Sequence, residues 1–198
     1  MDRYIKFIIF FALILLLFCS RQEKETVQRN DELSFEVDST KLEVATSLVD
    51  LGIQLNSPKG WKPIADRLFA ELSEKTAAVN LSDSVFSCKP VAIFLNHQTN
   101  SLLFISSVPG LDDTSSLATY KNLIQEQLAP RKDGDFLKDQ VHFSQFLIQN
   151  EQHVNFKLIF QNNKHHYIQF DYIIPIHSYV SELKAIESSI GSITVINP

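Results

Sequence analysis

Histidine and aspartate are the residue types here that could bind a metal ion, but their spacing does not favour a site. The pair His165-His166 is adjacent, and adjacent residues of a strand point to opposite faces of the sheet. His142 and His153 begin two neighbouring strands without the short Cys or His spacings that organise zinc sites. The pair Asp112-Asp113 lacks the dozen-residue ligand series of a calcium loop and suits the acidic first turn of a helix. We therefore expect neither a metal nor a cofactor.

A nucleophile for catalysis is equally hard to find. Cys88, in VFSCKPVAIF, has no nearby histidine or motif that would activate it, which favours a small buried apolar residue over a reactive thiol. The sequence has no G-x-S-x-G elbow, and its five glycines leave little material for a phosphate-binding loop. We expect no enzyme activity; a hydrolase would need a Ser or Asp within hydrogen-bond reach of a His in a cleft.

The N-terminus carries the pattern of an export signal. Arg3 and Lys6 precede an unbroken apolar run of twelve residues, 7–18. That run is shorter than the ~20 residues needed to cross a bilayer, but it suits the central region of a signal peptide. An uncleaved anchor using residues 4–19 is the alternative.

Leu16-Leu17-Phe18-Cys19 resembles the lipobox of bacterial lipoproteins, in which the cysteine becomes the first mature residue and carries acyl chains. Phe18 differs from the small residue that this pattern has before the cysteine. The resemblance implies a signal peptide at residues 1–18, a lipid on Cys19 such as palmitate, and a membrane-anchored protein of the bacterial cell envelope that faces outside the cytoplasm. Two or more acyl chains give stable anchoring.

Composition restricts the partners of the remaining chain. Residues 20–34 hold two aliphatic residues among charges and amides, which is typical of a flexible tether. Residues 35–198 are then long enough for a single domain with its own core. Loss of residues 1–18 would remove two basic and one acidic residue, changing the net charge from −5 to −6. Such a balance opposes nucleic acid as a partner.

Hydrophobic periodicity predicts an alternation of strands and helices up to the middle of the chain. We expect a hairpin over 33–44, a strand over 48–56 with Val49, Leu51, Ile53 and Leu55 on its buried side, and a turn at SPKGW with Gly60 at positive φ. A helix over 64–79 with Pro63 in its first turn, strands over 91–95 and 102–108, and a helix over 115–128 capped by Thr114 or Ser115 follow. Pro130 and Gly134 would close that helix.

The C-terminal third predicts an antiparallel meander and a final helix. Three strands with alternating apolar residues occupy 141–150, 153–162 and 165–174, and Val154, Phe156, Leu158 and Phe160 share one face. A helix over 176–190 follows, with Gly191 placed as its C-cap. The expected fold class is α+β: a mostly antiparallel sheet with helices packed on it.

Aromatic and amide side chains could serve a partner instead of a core. Trp61 lies at a strand-to-helix joint, where its ring could plug the end of the sheet or act as a binding hot spot. Gln145 and Gln169, with Gln149 and Asn155, could form a polar recognition surface, or they are the ordinary wet side of a sheet. Trp61, Gln145 and Gln169 are our candidate partner surface.

The element order and a few residues resemble the PsbP-like family, an α/β/α sandwich. The residues that carry this resemblance are Ile53, Leu55, Pro58, Gly60, Trp61 and the ending SELKAIESSIGSI, 181–193. The likeness spans roughly 48–195. The family includes photosystem extrinsic subunits, a Ran-binding nuclear import factor and bacterial envelope lipoproteins, and so implies a non-catalytic binding or assembly module. The alternative is a carrier that holds a small apolar ligand between sheet and helix.

Overall fold

A seven-stranded antiparallel sheet forms the centre of the protein in a computed structural model, which describes residues 35–78 and 86–196, except the side chains of residues 75–78. The strands are β3 (Trp61–Pro63), β4 (Lys89–Asn96), β5 (Ser101–Ser107), β6 (Lys132–Lys138), β7 (Val141–Gln149), β8 (His153–Gln161) and β9 (Tyr167–Pro175). Their order across the sheet is β3-β4-β5-β9-β8-β7-β6, and every neighbouring pair is antiparallel. The predicted meander is therefore confirmed as β7-β8-β9.

Two helices cover the two faces of this sheet. The described helices are α1 (Asp66–Ala78), α2 (Thr114–Leu128) and α3 (Tyr179–Gly191). On one side, here the α3 face, Ile186 and Ile190 of α3 pack on a core that includes Val154, Phe156, Leu158 and Phe160 of β8, as the alternation predicted. On the opposite side, the α2 face, Tyr120 and Ile124 of α2 pack on Phe146 and Ile159. The expected α+β class, with helices packed on an antiparallel sheet, is confirmed.

A second, three-stranded sheet contributes buried residues to the α3-face core. It consists of β1 (Thr46–Leu48), β2 (Ile53–Leu55) and β10 (Thr194–Val195), with β2 in the middle. Ile53 and Leu55 are fully buried within that core. All described residues belong to one compact unit.

The N-terminal part of the fold departs from the prediction of a hairpin and one long strand. Residues 39–41 form a 3₁₀ turn where we expected the hairpin loop, and the only pairing seen within the described residues 35–44 is an isolated bridge from Leu42 to Pro58. The strand predicted over 48–56 is broken by a second 3₁₀ turn, Val49–Leu51, that ends at Gly52 with φ of 61°. This turn rotates Val49 out to solvent, 66% exposed, while Leu51 stays buried. Period-two spacing of apolar residues therefore did not distinguish one strand from two strands joined by a turn.

Three other boundaries differ for identifiable reasons. Pro63 belongs to β3, paired with Phe94, so α1 begins at Asp66 rather than at residue 64. Asp113, rather than Thr114 or Ser115, caps α2. Gly134 lies inside the edge strand β6, whereas we had expected Pro130 and Gly134 to close the second helix.

Gly191 serves close packing instead of capping. It is the last residue of α3, and the C-cap is Ser192. A Cβ at position 191 would lie 2.6 Å from Phe35 Cβ and 2.9 Å from Val37 Cγ2. Glycine is thus needed there because residues 35–37 cross the end of the helix.

Candidate functional site

The polar side chains that come closest to a functional site lie on the α2 face of the large sheet. Lys157 of β8 and Asp171 of β9 are directly opposite each other in the strand register. Gln169 precedes Asp171 by two residues and therefore projects from the same face. Tyr120 reaches this group from α2, and Cys88 reaches it from the segment before β4. We call these five residues the α2-face network.

Hydrogen bonds join the whole network in series. Lys157 Nζ donates to Asp171 Oδ1 at 2.5 Å, and Gln169 Nε2 donates to Asp171 Oδ2 at 2.7 Å. Tyr120 Oη donates to Gln169 Oε1 at 2.8 Å, and Cys88 Sγ lies 3.3 Å from the same Tyr120 oxygen. Asn155 adds a bond from its Nδ2 to Asp171 Oδ1 at 3.1 Å. The Asp171 carboxylate thus accepts three hydrogen bonds, one of them from an ammonium group.

Electrostatics keep the two groups of potential reactivity protonated. Burial raises the pKa of the Cys88 thiol, and the nearby ammonium of Lys157 opposes this only in part. Burial also raises the pKa of Tyr120, and the thiol beside it raises it further. A thiol reacts as its thiolate, and a phenol acts as a base only when it is deprotonated. At neutral pH this pair therefore provides neither an activated nucleophile nor a general base.

The α2-face network has a structural role: it holds elements of the fold together. It joins α2, the segment before β4 and the two central strands β8 and β9 through buried polar groups that bond one another. Asp171 and Lys157 are nearly buried, with 12% and 9% of their side chains exposed. Such a pair is costly to break because the remaining partner is left as a buried, uncompensated charge.

A second group of buried polar side chains lies on the α3 face, and it shows the structural role of Trp61. The indole Nε1 of Trp61 donates to Glu182 Oε2 at 3.0 Å, and Ser101 Oγ donates to Glu182 Oε1 at 2.9 Å. Trp61 is 1% exposed and its ring lies 6.2 Å from that of Tyr172. Trp61 is thus a core residue that fastens β3 to α3, and its side chain is not at the surface for a partner to contact.

The candidate polar surface is divided between the two faces of the sheet. Gln145 pairs with Leu158, so it projects from the α3 face, as does Gln149 opposite Val154. Gln169 and Asn155 project from the α2 face, where Gln169 is 3% exposed within the network. Of Trp61, Gln145 and Gln169, only Gln145 is partly accessible, in a cleft at the sheet edge; Gln149 and Asn155 are also partly accessible.

Histidines and aspartates take up ordinary positions. His142 lies within β7, His153 begins β8, and the pair His165-His166 lies at the turn before β9. Over residues 35–78 and 86–196, no three side chains among His, Cys, Asp and Glu come together in a way that would hold a metal. Asp113 caps α2 by accepting a bond from the backbone N–H of Ser116 at 2.7 Å, whereas the aspartate pair precedes the first turn of the helix, which we had expected to contain it.

Within the part of the chain that the structure describes, clefts open at two margins of the large sheet. One, of about 230 Å³, lies along β6 and β7 and is lined by Lys132, Asp133, Gly134, Asp135, Phe136, Gln145 and Leu147. The other, of about 240 Å³, lies between the β6-β7 turn and β10. The sequence pattern predicted neither cleft, because the charged stretch KDGDFLK has no apolar alternation that would mark it as a strand.

Cys19 and residues 1–34 lie outside the described residues, so lipidation remains a prediction. Within the part of the chain that the structure describes, no helix combines the length and the apolar character needed to span a bilayer.

Comparison with known proteins finds similarity among solved structures. No family model matches the chain, and no curated protein matches it. The solution structure of cyanobacterial PsbP (CyanoP) from Synechocystis sp. PCC 6803 is similar at 13% identity and a TM-score of 0.49. The match covers 80% of this chain and 95% of that one.

Proposed function

We propose that this protein is a lipid-anchored, non-catalytic binding or assembly module at a membrane surface of the bacterial cell envelope. The lipid is carried by Cys19, and the folded domain engages a protein partner beyond the tether of residues 20–34. Neither a cofactor nor a nucleic acid has a role in this proposal.

The observation that supports a non-catalytic role is that the groups of the α2-face network are buried and hydrogen-bonded to one another. It gathers a thiol, a phenol, a carboxylate and an ammonium, which are the groups that an enzyme would use. Burial raises the pKa of both Cys88 and Tyr120, and the Asp171 carboxylate is occupied by three donors. The proposed lipid anchor is supported by the sequence alone, which has a basic start, an apolar run and a lipobox-like LLFC.

Carriage of a small apolar ligand is less well supported by the interior. Aromatic rings follow one another across the α3 face: Phe136 and Phe143 are 5.0 Å apart, and Phe143 and Phe160 are 4.6 Å apart. Phe160 and Phe170 continue the row at 5.6 Å. Rings at these separations fill the space where a carrier would hold its ligand.

Fractionation of cells tests the anchor. The wild-type chain should sediment with membranes and be released by detergent, whereas Cys19→Ala should keep its signal peptide and lose acylation. A Cys19→Ala chain that sediments with membranes and has the same mature mass as the wild type would contradict the anchor. The matched control is Cys88→Ala, which removes the other cysteine and should leave fractionation unchanged.

In-cell crosslinking tests the binding role. A photoactivatable residue at Gln145, in the β6-β7 cleft, should yield a discrete adduct with another envelope protein. The same residue at Asp50, an exposed position in a 3₁₀ turn, serves as the control. Absence of a specific adduct from Gln145 and from a set of other exposed positions would contradict a binding module.

A further inference from the structure

The outer edge of β6 has the properties of a peptide-binding strand. β6 is the last strand of the large sheet, and within residues 35–78 and 86–196 it pairs only with β7. The two strands are joined by a two-residue turn, Asp139-Gln140, whose φ values of 49° and 64° indicate a type I′ hairpin. Such a turn makes Lys138 and Val141 a hydrogen-bonded pair, and hydrogen-bonded pairs alternate along the ladder. The backbone groups of Asp133, Asp135 and Leu137 therefore point away from β7, towards the outside of the sheet.

On the α3 face, this edge has a notch with an apolar floor. Gly134 is exposed, and a Cβ built on it would have nothing within 4 Å. Beside it lie Phe136, which is 5% exposed, and the half-buried Leu147 and Gln145 of β7. These residues line the cleft of about 230 Å³ together with Lys132, Asp133 and Asp135. A residue of an added strand placed opposite Gly134 would direct its side chain into this notch, since directly opposite residues share a face.

On the other face, the same edge is acidic. Asp133 and Asp135 alternate with Gly134 and are both exposed. Asp135 is already engaged by Lys121 Nζ at 2.7 Å and by Ser144 Oγ at 2.6 Å, so Asp133 supplies most of the charge available to a partner. Residues flanking the one opposite Gly134 would lie over these two carboxylates.

We propose that β6 accepts an extended peptide as an eighth strand, and that the peptide has an apolar side chain flanked on both sides by basic ones. Backbone hydrogen bonds to Asp133, Asp135 and Leu137 provide the pairing, as in other cases of strand addition. The apolar side chain fills the notch at Gly134, and a basic side chain pairs with Asp133. The inference rests on the proposed function and names its partner class.

The chain's own tether does not fit this description. Val27 is flanked by Thr26 and Gln28, and Leu33 is flanked by Glu32 and Ser34. Neither aliphatic residue of the tether has basic neighbours, and Glu32 would face the Asp133 side with like charge. The occupant we infer is therefore another protein.

A binding measurement on the full chain in a mild nonionic detergent tests the proposal. The probe is a dye-labelled peptide of sequence TKTKLKTKT, whose lysines flank leucine on both sides so that parallel and antiparallel pairing are equally served. Fluorescence anisotropy should show saturable binding, and hydrogen exchange at Asp133, Asp135 and Leu137 should slow when peptide is added. The charge-reversed peptide TETELETET should bind at least about fivefold more weakly.

Variants separate the notch from the charge. Gly134→Val fills the notch with a residue suited to strands and should weaken binding about tenfold. Asp133→Lys should weaken it about fivefold. Asp50→Lys makes the same charge change at an exposed position outside β6, in the 3₁₀ turn Val49–Leu51, and should alter binding by less than about twofold. Melting temperatures of the three variants verify that each is folded.

Absence of saturable binding, or equal binding by the wild type and a folded Gly134→Val, would overturn the proposal. If the peptide fails to bind while in-cell crosslinking still recovers a neighbour, the strand-addition site is wrong and the binding module stands. If both experiments fail, both proposals fall.

Discussion

Replacing Asp171 by leucine is the sharpest test of the α2-face network. Lys157 Nζ bonds Asp171 Oδ1 at 2.5 Å, and the two side chains are 9% and 12% exposed. Loss of the carboxylate leaves this ammonium buried without its counter-charge and takes the acceptor from Asn155 and Gln169. Removing one partner of a buried ion pair costs about 3–5 kcal/mol. We expect Asp171→Leu to lose about that much stability.

Replacing the other partner of the ion pair, Lys157, should reduce the free energy of unfolding by less. In Lys157→Met, the Asp171 carboxylate keeps the donors of Asn155 and Gln169, at 3.1 and 2.7 Å. Hydrogen bonds to a charged group are worth about 1.5–3 kcal/mol each, so the remaining charge stays partly compensated. We therefore expect a loss of about 1–2 kcal/mol. The double variant should be no less stable than Asp171→Leu, because its second change removes the stranded ammonium.

Urea unfolding of residues 19–198 with Cys19→Ser measures these differences. With a slope of about 2 kcal/mol per M, a loss of 4 kcal/mol lowers the midpoint by about 2 M. The double-mutant cycle should give a coupling energy of at least about 1 kcal/mol. Equal losses for the two single variants, or effects that add to within about 0.5 kcal/mol, would refute the asymmetric network described above.

Three further predictions follow from individual contacts. Gly191→Ala should destabilise the domain by about 1–3 kcal/mol in urea unfolding, because the new Cβ would meet Phe35 Cβ at 2.6 Å. The control Gly134→Ala, with open space around it, should be neutral or slightly stabilising, and equal effects of the two changes would contradict the packing role of Gly191. The backbone hydrogen bond from Ser116 lowers the pKa of Asp113, so the stabilisation by this cap is present above the unfolded pKa and is lost as pH falls through the lower folded pKa. The difference in unfolding free energy between wild type and Asp113→Asn should therefore shrink over that acidic range, and a constant difference would contradict the role of the charged cap. Cys88, whose pKa is raised by burial, should react with iodoacetamide at pH 8 at least about tenfold more slowly in the folded Cys19→Ser chain than in urea, and equal rates would show that the thiol is accessible and ionised.

Strands and helices with a strong period were predictable, and elements that depend on pairing were not. The alternation of Val154, Phe156, Leu158 and Phe160 predicts that these residues share one buried face of β8, and all four lie in the α3-face core. β6 has no such alternation, because its first four residues are charged or glycine and all are exposed at the sheet edge. Its strand conformation comes from pairing with β7, which a local pattern does not contain.

The α2-face network was hidden for a similar reason. Gln169 and Asp171 alternate with apolar residues in β9, which is also the pattern of a strand with one wet face. Packing of α2 over that face converts these residues into buried ones, and the contact of Tyr120 with Gln169 spans 49 residues of sequence. A lysine and an aspartate at mid-strand positions were the available signal, since strands disfavour charged residues that lack a partner.

Intact-mass analysis of the native protein, extracted from cell membranes, tests the central claim most directly. The account predicts a chain that begins at Cys19 and carries the added mass of acyl groups on that residue. An intact leader of residues 1–18 followed by an unmodified Cys19 would contradict the anchor, and with it the proposed role at the membrane surface.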